Sequence, residues 1–166
     1  KFEEGFTSEI RLDFQKWFRG ISSLINRGSM LFIDYGYVRR DFYRSDRSKG
    51  NMICHYQNQV IDDPLQNLGY QDISASVDFT QLADTAIEEG FFIDLFTSQG
   101  VFLLSEESLN IIDDIDSSEL RINEIQKFKQ LIMPNQMGDV FKCMILSKGI
   151  SKDNFEELNQ LTHTLS

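Results

Sequence analysis

Phe14, Trp17, Phe18, Ile21, Leu24 and Ile25 recur at three- and four-residue intervals, which predicts a helix with one buried face. Asp13 stands where an N-cap is expected, and Gly28 where a left-handed helix ending is favoured. Gly20 lies inside the pattern at a cost of ~1 kcal/mol relative to Ala, so close packing or a bend is expected there. Met30-Leu31-Phe32-Ile33 then forms a short continuous apolar run, the pattern of a strand buried on both faces. It leads into the polar turn Asp34-Tyr35-Gly36.

From Val38 to about Asp78 the patterning is weak, with a short strand expected within Asn51 to Gln59. Structureless segments longer than ~12–15 residues are often lids or binding loops. Order returns at Phe79, Leu82, Ala83, Ala86 and Ile87, which are helix-spaced. Asp78 with Gln81 resembles a capping box, and Gly90 supplies the stop. Phe91 to Thr97 reads as a strand and Ser98-Gln99-Gly100 as a turn before the apolar run Val101 to Leu104. Asp113, Asp114 and Asp116 read as an acidic linker. Ile122, Ile125, Phe128 and Ile132 mark a helix halted by Pro134. Val140 to Leu146 is a strand, and Phe155, Leu158 and Leu161 suggest a final helix from Ser151. Alternating helices and strands imply an α/β layered sheet. Its three main strands make a narrow one, so an edge is expected to be completed by a partner or by preceding chain.

The 166 residues suit one domain, and 41% hydrophobic content suits a globular one. A formal net charge of −10 argues against general nucleic-acid binding, which needs a basic face. No apolar run approaches the ~20 residues of a membrane-spanning helix. The chain opens Lys1-Phe2-Glu3-Glu4 rather than with Met, so a preceding segment is expected. Two cysteines, Cys54 and Cys143, make no disulfide framework and point to a reducing compartment. No zinc or calcium spacing occurs, so no metal is expected. There is no G-x-G pair, Gly-Lys-Ser/Thr or G-x-S-x-G elbow.

Asp34 and Tyr35 stand at the carboxyl end of a strand, where ligands collect in open α/β sheets. A carboxylate and a phenol there can accept and donate hydrogen bonds to a ligand. Turn chemistry alone also explains Asp and Gly at this place. Asp78 is explained by capping, and Asp72 and Gln99 by turns. His55 and Tyr56 either line a pocket or form a partly buried aromatic pair. Arg39, Arg40, Arg44, Arg47 and Lys49 fall within a segment of net charge +3, leaving −13 for the rest. Such asymmetry steers an acidic surface or carboxylate, or simply marks a solvated loop.

The ordered motifs resemble the MidA family of S-adenosylmethionine-dependent methyltransferases, which includes the mitochondrial complex I assembly methyltransferase. The resemblance runs from about Ser8 to Lys148. It rests on Gly28 with Leu31 to Tyr37, on Gly50-Asn51-Met52-Ile53-Cys54-His55-Tyr56, and on Gly69 to Thr80 with Asp72 and Asp78. Ser98 to Leu104 and Pro134 to Lys142 complete it. The chain departs from the family pattern at Asn51-Met52, at Asn58 or Gln59, and at Ser74 and Ser76, all on the expected substrate side.

The resemblance implies an α/β fold: the later strands of a class I, Rossmann-like methyltransferase sheet, with residues 38–71 as a substrate-side insertion or lid. The whole of 1–166 would be the C-terminal part of such a domain, with S-adenosyl-L-methionine held mostly by residues upstream of Lys1 and little cofactor binding by this part alone. The strands at Phe91 and Val140 would form the far edge, the last antiparallel. By the same resemblance, the reaction is methylation of an arginine in a partner protein. Asp34 and Tyr35 are the expected catalytic pair. His55, Tyr56, Asp72, Asp78, Gln99, Arg39 and Arg40 are the expected substrate side. The setting is the cytoplasm in a bacterium or the mitochondrial matrix in a eukaryote, with a homodimer left open. A non-catalytic interaction module with this fold and a small-molecule methyltransferase are the rival readings.

Overall fold

The computed structural model describes residues 2–113, 115 and 118–150. Helix α1 (Phe14–Ser22) opens the ordered elements, and strand β1 (Gly28–Tyr37) follows it. After β1 come the one-turn helix α2 (Arg39–Phe42), a 3-10 turn at Ser45–Arg47, and strands β2 (Met52–Tyr56), β3 (Gln59–Ile61) and β4 (Asp72–Ala75). Strand β5 (Val77–Asp78) leads directly into α3 (Phe79–Glu88), then β6 (Phe92–Ser98) and α4 (Gln99–Leu103). Helices α5 (Glu106–Asp113) and α6 (Ser118–Ile132), a π-turn at Pro134–Gly138 and strand β7 (Phe141–Lys148) complete the described elements.

The main sheet has the order β5-β1-β7-β6. Strand β7 runs antiparallel between β1 and β6, as expected of the last strand, while β5 pairs parallel to β1. That parallel joint is only Gly36 to Val77 and Tyr37 to Asp78. Among the described residues, no strand pairs with the outer edge of β1 from Gly28 to Tyr35. Gly36 is required at the joint, because a Cβ there would collide with the Val77 backbone.

The core fills one face of this sheet. Phe18 of α1, Phe79, Leu82 and Ala86 of α3, and Met144 and Leu146 of β7 are buried together with Phe91. Met30 and Phe32 pack against them, and the Phe18 and Phe91 rings meet edge to face at 5.8 Å. Burial of each such large side chain contributes roughly 1.5–3 kcal/mol. The α3 cap forms as expected, with Asp78 Oδ1 accepting from the Thr80 and Gln81 amides at 3.0 Å.

Several expectations are corrected. The run Met30–Ile33 is not buried on both faces: Leu31 and Ile33 are 49% and 46% exposed, because α1 and α3 cover only the opposite face. Helix α1 ends at Ser22, and Gly28 instead begins β1 opposite Lys148. Asp13 precedes α1 but makes no side-chain capping bond. Gly20 is not closely packed; it is exposed within the continuous helix, with nothing within 4 Å of where a Cβ would stand. Gln99 to Leu103 is a helix rather than a turn and an apolar run. Asp113 ends α5 rather than opening a linker, while Asp114, Asp116 and the expected final helix from Ser151 lie outside the described residues.

The segment after β1 is more ordered than its pattern suggests. Strands β3, β2 and β4 form a separate antiparallel sheet in that order. Gln57 and Asn58, with φ of 50° and 62°, make the two-residue turn that joins β2 to β3. Both central residues at positive φ match the hairpin turn whose twist suits its flanking strands.

Candidate functional site

Asp34, Tyr35 and Gly36, expected as a turn, instead lie inside β1, which runs on to Tyr37 because β7 and then β5 go on pairing with it; Asp34 and Tyr35 sit opposite Lys142 and Phe141 of β7 in register. The Asp34 carboxylate is exposed, and its Oδ1 accepts from the Tyr35 amide at 2.8 Å. The Tyr35 ring is partly buried and meets Phe141 edge to face at 5.8 Å. Lys142 donates to the Asp139 carbonyl, so its charge sits beside the acidic strand end without forming an ion pair with Asp34.

One turn beyond, α2 brings Arg39 against α3. The Arg39 amide donates to Thr80 Oγ1 at 2.9 Å, fixing the start of α2 on the first turn of α3. Its guanidinium lies 3.6 Å from Asp78 and donates to Asp84 at 3.0 Å. Burial opposes its charge, but the hydrogen bond to Asp84 and the field of Asp78 outweigh it and raise its pKa. Arg40 points outward, with its side chain 88% exposed beside Asp41. Arg47 stacks over the Tyr37 ring at 3.8 Å, a cation–π contact that holds the basic segment on β1.

His55 and Asp72 face each other across β2 and β4, both exposed. Tyr56 ends β2, where its hydroxyl accepts from Gln57 at 3.3 Å. Gln99 is placed differently. It is 6% exposed, and its Nε2 donates to the Leu131 carbonyl at 2.9 Å, tying α4 to the end of α6. The structure thus sets Asp34 and Tyr35 on opposite faces of β1 and brings Arg39 to Asp78 beyond its end. It sets His55 with Asp72 on the smaller sheet, and buries Gln99 as a packing contact.

Sequence reasoning missed Glu9. Its Oε1 accepts from the Asn51 and Met52 amides at 2.7 and 2.8 Å. The Thr7 amide donates to the Ser48 carbonyl at 2.9 Å, and the Arg11 guanidinium donates to the carbonyls of Ala75 and Ser76 at 3.0 and 3.2 Å. Residues 7–11 therefore strap one end of the three-stranded sheet, where Met52 of β2 pairs with Ala75 of β4, to the body. An isolated acid ahead of a helix carries no spacing signal, so only the fold reveals this.

Among the described residues, no group of three His, Cys, Asp or Glu side chains is placed to hold a metal ion, and no helix is long and apolar enough to cross a membrane. Cys54 and Cys143 are both free and buried, and burial pushes the Cys143 thiol up to about 11.

A mixed sheet with an antiparallel penultimate strand, flanked by helices and ending in polar residues, is the α/β architecture of a class I methyltransferase-like fold. Residues 1–97 match the family described as "putative S-adenosyl-L-methionine-dependent methyltransferase", and the chain belongs to that family. Two solved structures from Burkholderia thailandensis share the fold. One, an uncharacterized ACR superfamily protein, is 29% identical with a TM-score of 0.84. The other, a superfamily member inferred to be a methyltransferase and bound to S-adenosyl-homocysteine, is 30% identical with a TM-score of 0.83. Each alignment covers 90% of this chain but only 40% and 39% of the respective relative. No match is found among curated proteins.

The family's cofactor is S-adenosyl-L-methionine. Among the described residues, an exposed carboxylate, Asp34, stands near the carboxyl end of β1. The described residues include no glycine-rich turn from strand to helix, so none is assigned to gripping the cofactor.

Proposed function

We propose that this chain carries the acceptor-binding side of a methyltransferase that modifies an arginine side chain of a partner protein, in respiratory complex I assembly or a bacterial equivalent. The observation that carries the reading is the exposed Asp34 carboxylate near the carboxyl end of β1, with Tyr35 next in the strand packed on Phe141 from the other face. The cofactor of this family supplies a sulfonium methyl group. A guanidinium, with a pKa above ~12, must shed a proton around the transfer. Asp34 accepts a hydrogen bond from the acceptor nitrogen, turns its lone pair toward the methyl carbon and takes the proton. Tyr35, packed on Phe141 from the other face, holds this part of β1 in place and helps to exclude water from behind the acceptor.

The neighbouring surface favours a protein over a small molecule. A groove of about 650 Å³ runs between the first residues and α2, lined by Phe2, Phe6, Ile10, Tyr43, Arg39 and Arg40. It is broad and open, with two guanidinium groups on its rim. On this reading Arg39 and Arg40 dock acidic residues that flank the target, while His55, Tyr56 and Asp72 on the smaller sheet meet the substrate from above. The matching compartments are the bacterial cytoplasm or the mitochondrial matrix.

The test is to incubate the full-length protein with isotopically labelled S-adenosyl-L-methionine and a lysate of its own organism, then locate the label by mass spectrometry. Label on arginine nitrogens of a protein supports the reading. Label confined to small molecules, or to other amino acids, overturns it.

A further inference from the structure

Asp34, Lys142 and Ser98 form one row across the main sheet. Asp34 of β1 and Ser98 of β6 both lie directly opposite Lys142 of β7. Cross-strand partners share a face of the sheet, with Cβ atoms roughly 4.5–5.5 Å apart. The neighbouring row on that face is Phe32, Met144 and Phe96, which belong to the core or pack against it. The three polar residues are therefore the rim of the core, near the end of the sheet where β1 and β6 stop and β7 starts.

The two charges in this row are neighbours without being partners. Among the described residues, neither Asp34 nor Lys142 forms an ion pair. Asp34 gives Oδ1 to the Tyr35 amide, and its Oδ2 has no partner among them. The longer Lys142 side chain reaches back past the start of β7 to the Asp139 carbonyl, which engages one of the three N–H donors of its ammonium. Ser98 Oγ accepts from the Val101 amide, so its O–H is left to donate. Asp34 is exposed, and Lys142 and Ser98 are half-buried. A spare acceptor and spare donors thus stand side by side, which suits a ligand carrying a cation and an anion at a similar spacing.

We propose that Lys142, assisted by the Ser98 hydroxyl, reads an acidic residue close to the target arginine while Asp34 takes the guanidinium. The proposal rests on the arginine reading above and deepens it by naming a residue that selects the substrate sequence. Side chains two positions apart in an extended peptide share a face, so an arginine and an acid at that spacing can meet Asp34 and Lys142 together. Lys142 suits the task as a compact charge on a flexible stem. It also works by exclusion, because a basic residue at the same place meets a like charge.

The test uses the full-length protein with S-adenosyl-homocysteine present, titrated with three peptides: acetyl-Glu-Gly-Arg-Gly-Glu-amide and its counterparts with Gln or Lys in place of both Glu residues. Wild type should bind the Glu peptide at least about fivefold more tightly than the Gln peptide, the upper range for an ion pair open to solvent, and the Lys peptide most weakly. Lys142→Met keeps the apolar stem and removes the charge. It should lose that fivefold factor, whatever the arginines of α2 add, while holding its melting temperature and its affinity for S-adenosyl-homocysteine. Lys142→Gln, which keeps a donor for the Asp139 carbonyl, serves where Lys142→Met does not fold. Equal binding of the Glu and Gln peptides by wild type, no binding of either, or a preference unchanged in a folded variant overturns the proposal. Citrulline in place of the arginine checks the arginine reading by itself. Equal binding of the arginine and citrulline peptides removes that reading, while the Glu preference still reports on Lys142.

Discussion

Glu9 accepts the Asn51 amide at 2.7 Å across 42 residues of chain, joining the segment before α1 to the root of the three-stranded sheet. This side chain is the hinge pin of the insertion. Glu9→Ala should leave the main sheet intact but speed hydrogen exchange at the Asn51 and Met52 amides and through β2, with β7 unaffected. Exchange measured by mass spectrometry that stays at wild-type rates in β2 would show the strap is dispensable.

The Asp78 carboxylate serves α3 first. Asp78→Ala removes acceptors for Thr80 and Gln81 and should cost about 0.5–2 kcal/mol in urea unfolding. Asp78→Asn keeps an oxygen cap and should recover most of that stability, while releasing Arg39 from one of its two carboxylate partners.

Gly20 offers the opposite case. It is exposed within α1, and a methyl group there meets nothing within 4 Å. Gly20→Ala should therefore stabilise the protein by about 1 kcal/mol through helix propensity alone. A destabilised variant would mean that the face carrying Gly20 packs against something in the native protein.

Glu89 links acid stability to one ion pair. The hydrogen bond from Arg19 at 2.7 Å holds its carboxyl below the ordinary range, with Ser22 assisting and burial opposing. Because the folded pKa is depressed, the stabilisation is present above the unfolded value of ~4.3 and is lost as pH falls through the folded one. Urea unfolding should show wild type more stable than Glu89→Gln at neutral pH, with the gap closing in acid. A gap that stays constant to low pH would remove the ion pair from the account.

Much of the body was legible because burial imposes a period. Phe14, Phe18 and Ile25 of the first helical pattern, and Phe79, Leu82 and Ala86 of the third helix, do face one core. The capping role of Asp78 was readable because the cap is local. The insertion was not readable, because its small sheet buries little: Met52, Ile53, Val60 and Ile73 are exposed, and only Cys54 of β2 is buried. Without a buried face there is no alternation to see. The half-exposed face of Leu31 and Ile33 misled for the converse reason, since apolar identity does not report which face is covered. In the candidate site, Asp34 and Tyr35 read as a turn after the apolar run, whereas β1 continues through them to Tyr37, since pairing to β7 and β5 rather than apolar identity sets where the strand ends. Glu9 required the fold, because its partners lie 42 and 43 residues away.

The central claim is that Asp34 serves the acceptor at the end of β1. Its most direct test is steady-state methyl transfer by the full-length protein and its Asp34→Asn variant, alongside their affinities for S-adenosyl-homocysteine. The account predicts a fall in kcat of about a hundredfold or more, the usual worth of a positioned acid or base, with unchanged cofactor-product affinity and melting temperature. Wild-type turnover in Asp34→Asn would contradict it.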